Sequence, residues 1–125
     1  MNILVVDDDA IVLISCRRIL ELDGYEVTTA SGAEEALELL GKQPFDLLLI
    51  DVKMPKHDGL FLLREVRKGY SNLPVVVMSG YPTPETIADA YKLGASQFIP
   101  KPFRPDELMN LICRVQQKIE KQQSK

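Results

Sequence analysis

A run of three carboxylates, Asp7-Asp8-Asp9, directly follows the apolar segment Ile3–Val6. A single carboxylate, Asp51, follows the apolar segment Leu47–Ile50, and the hydroxyl of Ser79 follows Val75–Met78. The amine of Lys101 lies just past the short segment Gln97–Ile99. Carboxylates gathered in one pocket repel one another, and burial sharpens the conflict. A hard divalent cation resolves it: Mg²⁺ takes oxygen ligands, usually one or two carboxylates together with waters and a substrate phosphate. A phosphate bound there needs a cation on its far side, which Lys101 offers, and a hydroxyl donor, which Ser79 offers. Such a set fits transfer of a phosphoryl group onto a carboxylate, a reaction governed by positioning and charge neutralisation. Asp9 reads differently, as the N-cap of the helix that follows. His57 has no second histidine or nearby cysteine and reads as a surface residue, and Asp58-Gly59 reads as turn chemistry.

Singly, each of these groups is ordinary; their meaning depends on elements that bring them together. The segments Ile3–Val6, Leu47–Ile50 and Val75–Met78 are too short for helices and are rich in branched side chains. They read as strands buried on both faces, the mark of a parallel sheet covered by helices. Tyr25–Ala30 and Gln97–Ile99 read as two further strands. Between them lie helical patterns. Ala10–Leu22 carries Val12, Cys16, Ile19 and Leu20 on one face. Ser31 and Glu34 read as a capping box opening Ala33–Leu40, closed by Gly41. Gly59–Lys68 spaces Leu60, Leu63 and Val66 three apart. Thr83-Pro84 caps and opens a helix running to Gly94, and Pro105 opens the last helix, with Leu108, Ile112, Val115 and Ile119 in one strip.

The order is strand–helix repeated five times. It predicts an α/β fold: a doubly wound five-stranded parallel sheet, order 2-1-3-4-5, a flavodoxin-like (βα)5 arrangement. In such sheets ligands bind outside the carboxyl ends of the strands, where the strand order reverses. Here that point lies between the first and third strands, so Asp7, Asp8 and Asp51 should converge.

The chain has 125 residues, 46% of them apolar and 26% charged, with a net charge of −3. One domain is expected, residues 1–122, with 123–125 as a polar tail and Lys118–Lys125 the stretch polar enough to fray. The acidic balance argues against direct nucleic-acid binding. The apolar runs are all short of a membrane span, and Met1-Asn2 leads into structure without a basic leader, so neither insertion nor secretion is expected. Cys16 and Cys113 match no zinc spacing and read as buried thiols of a reducing compartment, with the cytoplasm as the default location.

At these residues the sequence resembles the receiver domain of bacterial two-component response regulators, the chemotaxis-regulator-like fold. The matching pieces are Ile3 to Asp9, Asp46 to Asp51, Met54-Pro55, Asp58-Gly59, Val75 to Gly80, and Gly94-Ala95 through Phe98 to Lys101-Pro102-Phe103. The resemblance spans nearly the whole chain, and its strength lies in the pieces standing in order at the right spacing. It implies Asp51 as phosphoacceptor, with Ser79 and Lys101 as the catalytic hydroxyl and lysine. It implies a Mg²⁺ ion held by Asp7, Asp8, Asp51 and the backbone carbonyl of Lys53, with Asp7 acting partly through water. It implies Ser79 and Phe98 as the switch pair and a cis Lys101–Pro102 bond. A sensor histidine kinase or phosphotransfer protein would be the donor, and an output domain or partner the recipient of the signal. The domain would catalyse only its own phosphorylation and slow dephosphorylation. Phe98 stands where the family often has Tyr, Gln97 where some receivers carry an acidic dimer contact, and Arg104 where an acidic cap is usual. Lys53 and Tyr81 occupy positions that the family uses to tune phosphoryl lifetime.

Two other function classes share parts of this pattern. A carrier of flavin mononucleotide has the same strand order, but its first loop must cradle a phosphate, and Asp7-Asp8-Asp9 would repel one. A metal-dependent phosphatase working through an aspartyl phosphate places a second carboxylate two residues after its nucleophile, where this chain has Lys53. A receiver reduced to a docking module would have no need of the full acidic set and Lys101.

Overall fold

The computed structural model describes residues 1–123. Its strands are β1 (Asn2–Val6), β2 (Glu26–Ala30), β3 (Leu47–Asp51), β4 (Val75–Ser79) and β5 (Gln97–Pro100). Between and after them come α1 (Ala10–Leu22), α2 (Ala33–Lys42), α3 (Gly59–Gly69), α4 (Pro84–Lys92) and α5 (Pro105–Gln123). All strand pairings are parallel and the sheet order is β2-β1-β3-β4-β5, as expected. The period of two along each strand explains why the central strands are apolar throughout. Ile3, Val5, Leu47, Leu49, Val76 and Met78 pack under α1 and α5, against Cys16, Leu20, Leu108, Leu111, Ile112 and Val115. Leu4, Val6, Leu48, Ile50, Val75 and Val77 face the other way, toward Ala33, Ala36, Leu40, Leu62, Leu63, Val66 and Ala90 of α2, α3 and α4. Each buried leucine or isoleucine contributes roughly 1.5–3 kcal/mol of apolar burial, so both faces matter to stability.

Several local expectations meet corrections. The Ser31–Glu34 capping box does not form; Gly32 is the N-cap of α2, and Glu35 is the residue whose carboxylate accepts from the Ser31 N–H, at 3.2 Å. The helix passes through Gly41 to Lys42, while α4 stops at Lys92, short of Gly94, which turns the chain at φ 100°. α5 continues through Gln123, because its polar glutamines, lysines and glutamate are good helix formers. The boundary expected between residues 122 and 123 therefore falls in its last turn, and residues 124–125 of the tail lie outside the described residues.

The two thiols also part company. Cys16 is buried beneath β1, but Cys113 is exposed, one residue out of phase with the buried Ile112. Burial first, and then the charge of Asp7, pushes the Cys16 thiol up to about 11, with Lys101 opposing. A thiol-reactive probe at neutral pH is expected to modify Cys113 and spare Cys16 until the protein unfolds, as peptide mass mapping will report. Modification of native Cys16 would contradict the packing of α1.

Candidate functional site

The strand register assembles the site. Val6 pairs with Ile50 and Asp51 with Met78, while Ser79 pairs with Pro100. The next residue along β1, Asp7, thus stands beside Asp51, and Lys101 stands one step past the end of β5. The Asp7 N–H continues the ladder by donating to the Ala30 carbonyl at 3.1 Å, and the Lys101 N–H donates to the Ser79 carbonyl at 2.7 Å. The Lys101–Pro102 peptide bond is cis, as the resemblance implied.

Asp7 is fully buried, and Asp51 and Ser79 are nearly so, at 5% and 3% exposure. The Lys101 ammonium lies between the two acids, donating to Asp7 Oδ2 at 2.7 Å and standing 3.2 Å from Asp51 Oδ1. The other oxygen of Asp7 accepts from the Asp9 N–H at 2.9 Å. Asp9 itself caps α1 through the Ile11 N–H, which takes it out of the pocket as expected. Asp8 is exposed and stands at the pocket's rim. Asp7, Asp8 and Asp51 each offer a carboxylate oxygen, and these atoms lie within 4.8 Å of one another. That spacing and the all-oxygen donor set fit a hard cation such as Mg²⁺, which favours carboxylates and retains waters.

The charges explain the acid–base state. Burial, followed by the charge of Asp7, raises the Asp51 carboxyl above the ordinary carboxylate range against the pull of Lys101, with Asp8 adding to the rise. For Lys101, burial alone would lower the ammonium, but the hydrogen bond and charge of Asp7, then those of Asp51, prevail and hold it above the usual lysine value. The two shifts are consistent because Lys101 gives its shorter bond to Asp7. A carboxylate next to a cation, but not saturated by it, stays available to a ligand. The Ser79 hydroxyl oxygen accepts from the Tyr81 N–H at 3.1 Å, so its own proton remains free to donate.

Asp7, Asp8, Asp51, Ser79 and Lys101 therefore sit at one end of the sheet, and Lys53 lies in the loop two residues past Asp51. Phe98 lies within β5, half-buried against the core on the α3–α4 side. Two contacts had no signal in the sequence. The Asp7–Lys101 ion pair joins residues 94 apart. The Lys53 ammonium lies 4.6 Å from the centre of the Tyr81 ring, so the loops that follow β3 and β4 meet in a cation–π contact. His57, expected to be a plain surface residue, stacks on Phe61 at 4.1 Å and stands 4.0 Å from a Glu34 carboxylate oxygen.

The family model of the response regulator receiver domain matches residues 3–113. The chain belongs to the response regulator receiver domain family. Such receivers are the signal-accepting modules of two-component systems. Response regulator MprA of Mycobacterium leprae is 38% identical over 109 residues, which make up 87% of this chain and 48% of that protein. The DNA-binding transcriptional regulator NtrC of Escherichia coli is 36% identical over 119 residues, 95% of this chain and 25% of NtrC. This receiver thus spans about half or less of the length of these relatives. Among solved structures, a CheY-like receiver domain protein from Methanospirillum hungatei superposes with a TM-score of 0.93 at 35% identity, covering 97% of both chains. The receiver domain of NtrX from Brucella abortus superposes with a TM-score of 0.85 at 38% identity, covering 90% of this chain and 95% of that one.

Proposed function

We propose that this receiver takes a phosphoryl group from the phosphohistidine of a sensor kinase or phosphotransfer protein onto Asp51. The observation that carries this reading is the placement of Asp51 at the switch point of the sheet, beside Asp7, with Lys101 between them. A Mg²⁺ ion, held by Asp7, Asp8, Asp51 and the Lys53 carbonyl, would neutralise the phosphoryl oxygens. In the transfer the phosphorus–nitrogen bond of the donor breaks and a bond forms from phosphorus to an Asp51 carboxylate oxygen, which supplies the electron pair. Lys101 then turns from Asp51 toward the phosphoryl oxygens while keeping Asp7. Ser79 donates its free hydroxyl proton to another of those oxygens, and Phe98 turns into the space vacated behind β4. The group added carries a charge of about −2, which makes the change large enough to be read elsewhere. Phe98 has no hydroxyl to leave unpaired on burial, so its inward turn costs less than a tyrosine's would.

The domain acts on itself alone, phosphorylating and slowly dephosphorylating, because Lys53 occupies the place where a phosphatase of similar mechanism needs an acid. Its output is a further domain or partner, reached through α4, β5 and α5 around Lys92, Phe98 and Arg104. Its location is the cytoplasm; among the described residues no helix is long and apolar enough to cross a membrane. Incubation with a small phosphodonor and Mg²⁺ tests the reading. It should yield an adduct on Asp51 that is labile to base and hydroxylamine, and an adduct on a different residue, or none, would overturn it.

The Lys53–Tyr81 contact bears on how long that adduct lasts. Hydrolysis needs a water opposite the Asp51 oxygen, and the paired Lys53 and Tyr81 side chains would limit its approach. Removing either one as Lys53→Ala or Tyr81→Ala is expected to shorten the half-life of the adduct by about two- to fivefold, in line with the worth of an exposed cation–π contact. The double variant should do little more than either single one, since both remove the same contact. Additive effects would mean that the residues act separately.

A further inference from the structure

Gly59, the first residue of α3, lies against the backbone of Asp51 more closely than any side chain allows. A Cβ at position 59 would stand 2.1 Å from the Asp51 carbonyl oxygen, 2.9 Å from the Asp51 carbonyl carbon and 2.9 Å from Val52 Cα. All three are backbone atoms, so no rotamer change relieves the contact. The reason for glycine here is therefore close approach, not a turn, although Asp58-Gly59 reads as a turn in the sequence. The contact is held from every side. The Gly59 N–H donates to the Val52 carbonyl at 2.7 Å, and the Val52 N–H donates to Met78 of β4 at 3.0 Å. The Asp58 carboxylate caps α3 by accepting from the Phe61 N–H at 2.8 Å, which fixes the first turn of that helix. The Asp51–Val52 peptide is thus clamped between β4 and α3, with nowhere to retreat.

We propose that Gly59 is a positioning residue for the acceptor: it lets the N-terminus of α3 set the place of the Asp51 carboxylate and of the Val52–Lys53 segment. The inference rests on the reading of Asp51 as acceptor and of the Lys53 carbonyl as a cation ligand. A methyl group at position 59 must push α3 and the Asp51–Val52 peptide apart by more than an ångström to reach ordinary contact. A misplacement of about 1 Å at a reacting group costs up to about a hundredfold in rate. Loss of the outer support of a metal ligand costs about ten- to a hundredfold in affinity.

Gly59→Ala tests this beside Gly94→Ala. Gly94 sits at φ 100°, against the Arg67 side chain, which donates to the Tyr70, Leu73 and Gly94 carbonyls, at the far end of β5 from Lys101. Both variants should melt at lower temperature than the parent. Gly59→Ala alone should lose about tenfold or more in Mg²⁺ affinity, read from amide shifts of residues 7, 8 and 51. It should also lose about ten- to a hundredfold in the maximal rate of labelling by a small phosphodonor, with a smaller change in the half-saturating donor concentration. A folded Gly59→Ala protein with the parent's Mg²⁺ affinity and maximal rate overturns the proposal. Should Gly59→Ala fail to fold, Asp58→Ala, which only loosens the first turn of α3, takes its place. A loss of Mg²⁺ affinity then supports the proposal, and an unchanged affinity overturns it. A parent that binds Mg²⁺ but takes up no phosphoryl group would overturn the acceptor reading, and the affinity comparison would still decide the role of Gly59.

Discussion

Asp51→Asn is expected to abolish phosphoryl uptake and, without divalent cations at pH 7, to make the fold more stable. The first effect follows from chemistry: an amide has no carboxylate oxygen to attack phosphorus. The second follows from the raised acid–base position of Asp51, which burial and then the charge of Asp7 hold above the ordinary value. A carboxyl raised on folding lends stability that is fully present below its unfolded value, near pH ~4, and lost as pH rises through the folded value. At pH 7 the parent has therefore lost that contribution, and a neutral amide of the same shape avoids the loss. Lys101 keeps its shorter bond, at 2.7 Å to Asp7, so the variant leaves no cation stranded. The gain should be on the order of 1 kcal/mol at pH 7, about 4 °C in melting temperature for a domain of this size, and should vanish toward pH ~4. Melting curves across that range decide it. A variant less stable than the parent at pH 7 would mean that the attraction of Lys101 outweighs burial at Asp51. Added Mg²⁺ should raise the melting temperature of the parent more than that of the variant, since the variant lacks one of three clustered carboxylates.

The parts of this molecule legible in the sequence are those where one physical demand acts alone. A strand covered on both faces must be apolar at every position, so Ile3–Val6, Leu47–Ile50 and Val75–Met78 identify themselves, and the groups just past them mark the carboxyl edge of the sheet. The topology does the rest, since a doubly wound order places the ends of β1 and β3 side by side. What escaped reading depends on choices among near-equals. Glu34 and Glu35 both lie in the first turn of α2, and which one reaches back to Ser31 depends on the angle at which the chain enters from β2. Cys113 stands beside Ile112 in an amphipathic helix, and a phase difference of one residue decides burial. The partners of Lys101 could not be ranked either, since a lysine near two acids prefers the one its backbone tether favours.

Gly59 shows a different limit. The sequence states that the residue is glycine, and turn chemistry is a sufficient reason for it. Only the folded chain shows the actual reason, the backbone of Asp51 at the end of β3 lying too close for a Cβ at position 59. The same holds for Lys53 and Tyr81, which sit in separate loops and meet only because β3 and β4 are neighbours.

Lys101→Met should be the most destabilising change in the site, costing about 3–5 kcal/mol at pH 7 without divalent cations. The methionine keeps the length and apolar stem of the lysine, so the loss measures the charge. Without the ammonium, Asp7 and Asp51 face each other, one fully buried and the other 5% exposed, with no cation between them. Removing one partner of a buried ion pair costs far more than the pair is worth, because the remaining charge stays desolvated. The pH dependence has a definite sign. Lys101 is raised on folding, by Asp7 and then Asp51 overcoming the effect of burial, so its contribution is complete at neutral pH and is lost only as pH rises through that raised value. On the acid side the variant should recover toward the parent as Asp51, already raised, takes up a proton and ends the repulsion. Denaturant titrations from pH ~4 to pH ~8 should therefore show a gap that widens with pH, set by the ordinary carboxylate range. Mg²⁺ should close part of that gap by restoring a positive charge among the three acids, raising the variant's midpoint more than the parent's. A loss below about 1 kcal/mol that is the same at all these pH values and indifferent to Mg²⁺ would place Lys101 among ordinary surface ion pairs, whose worth is of that size.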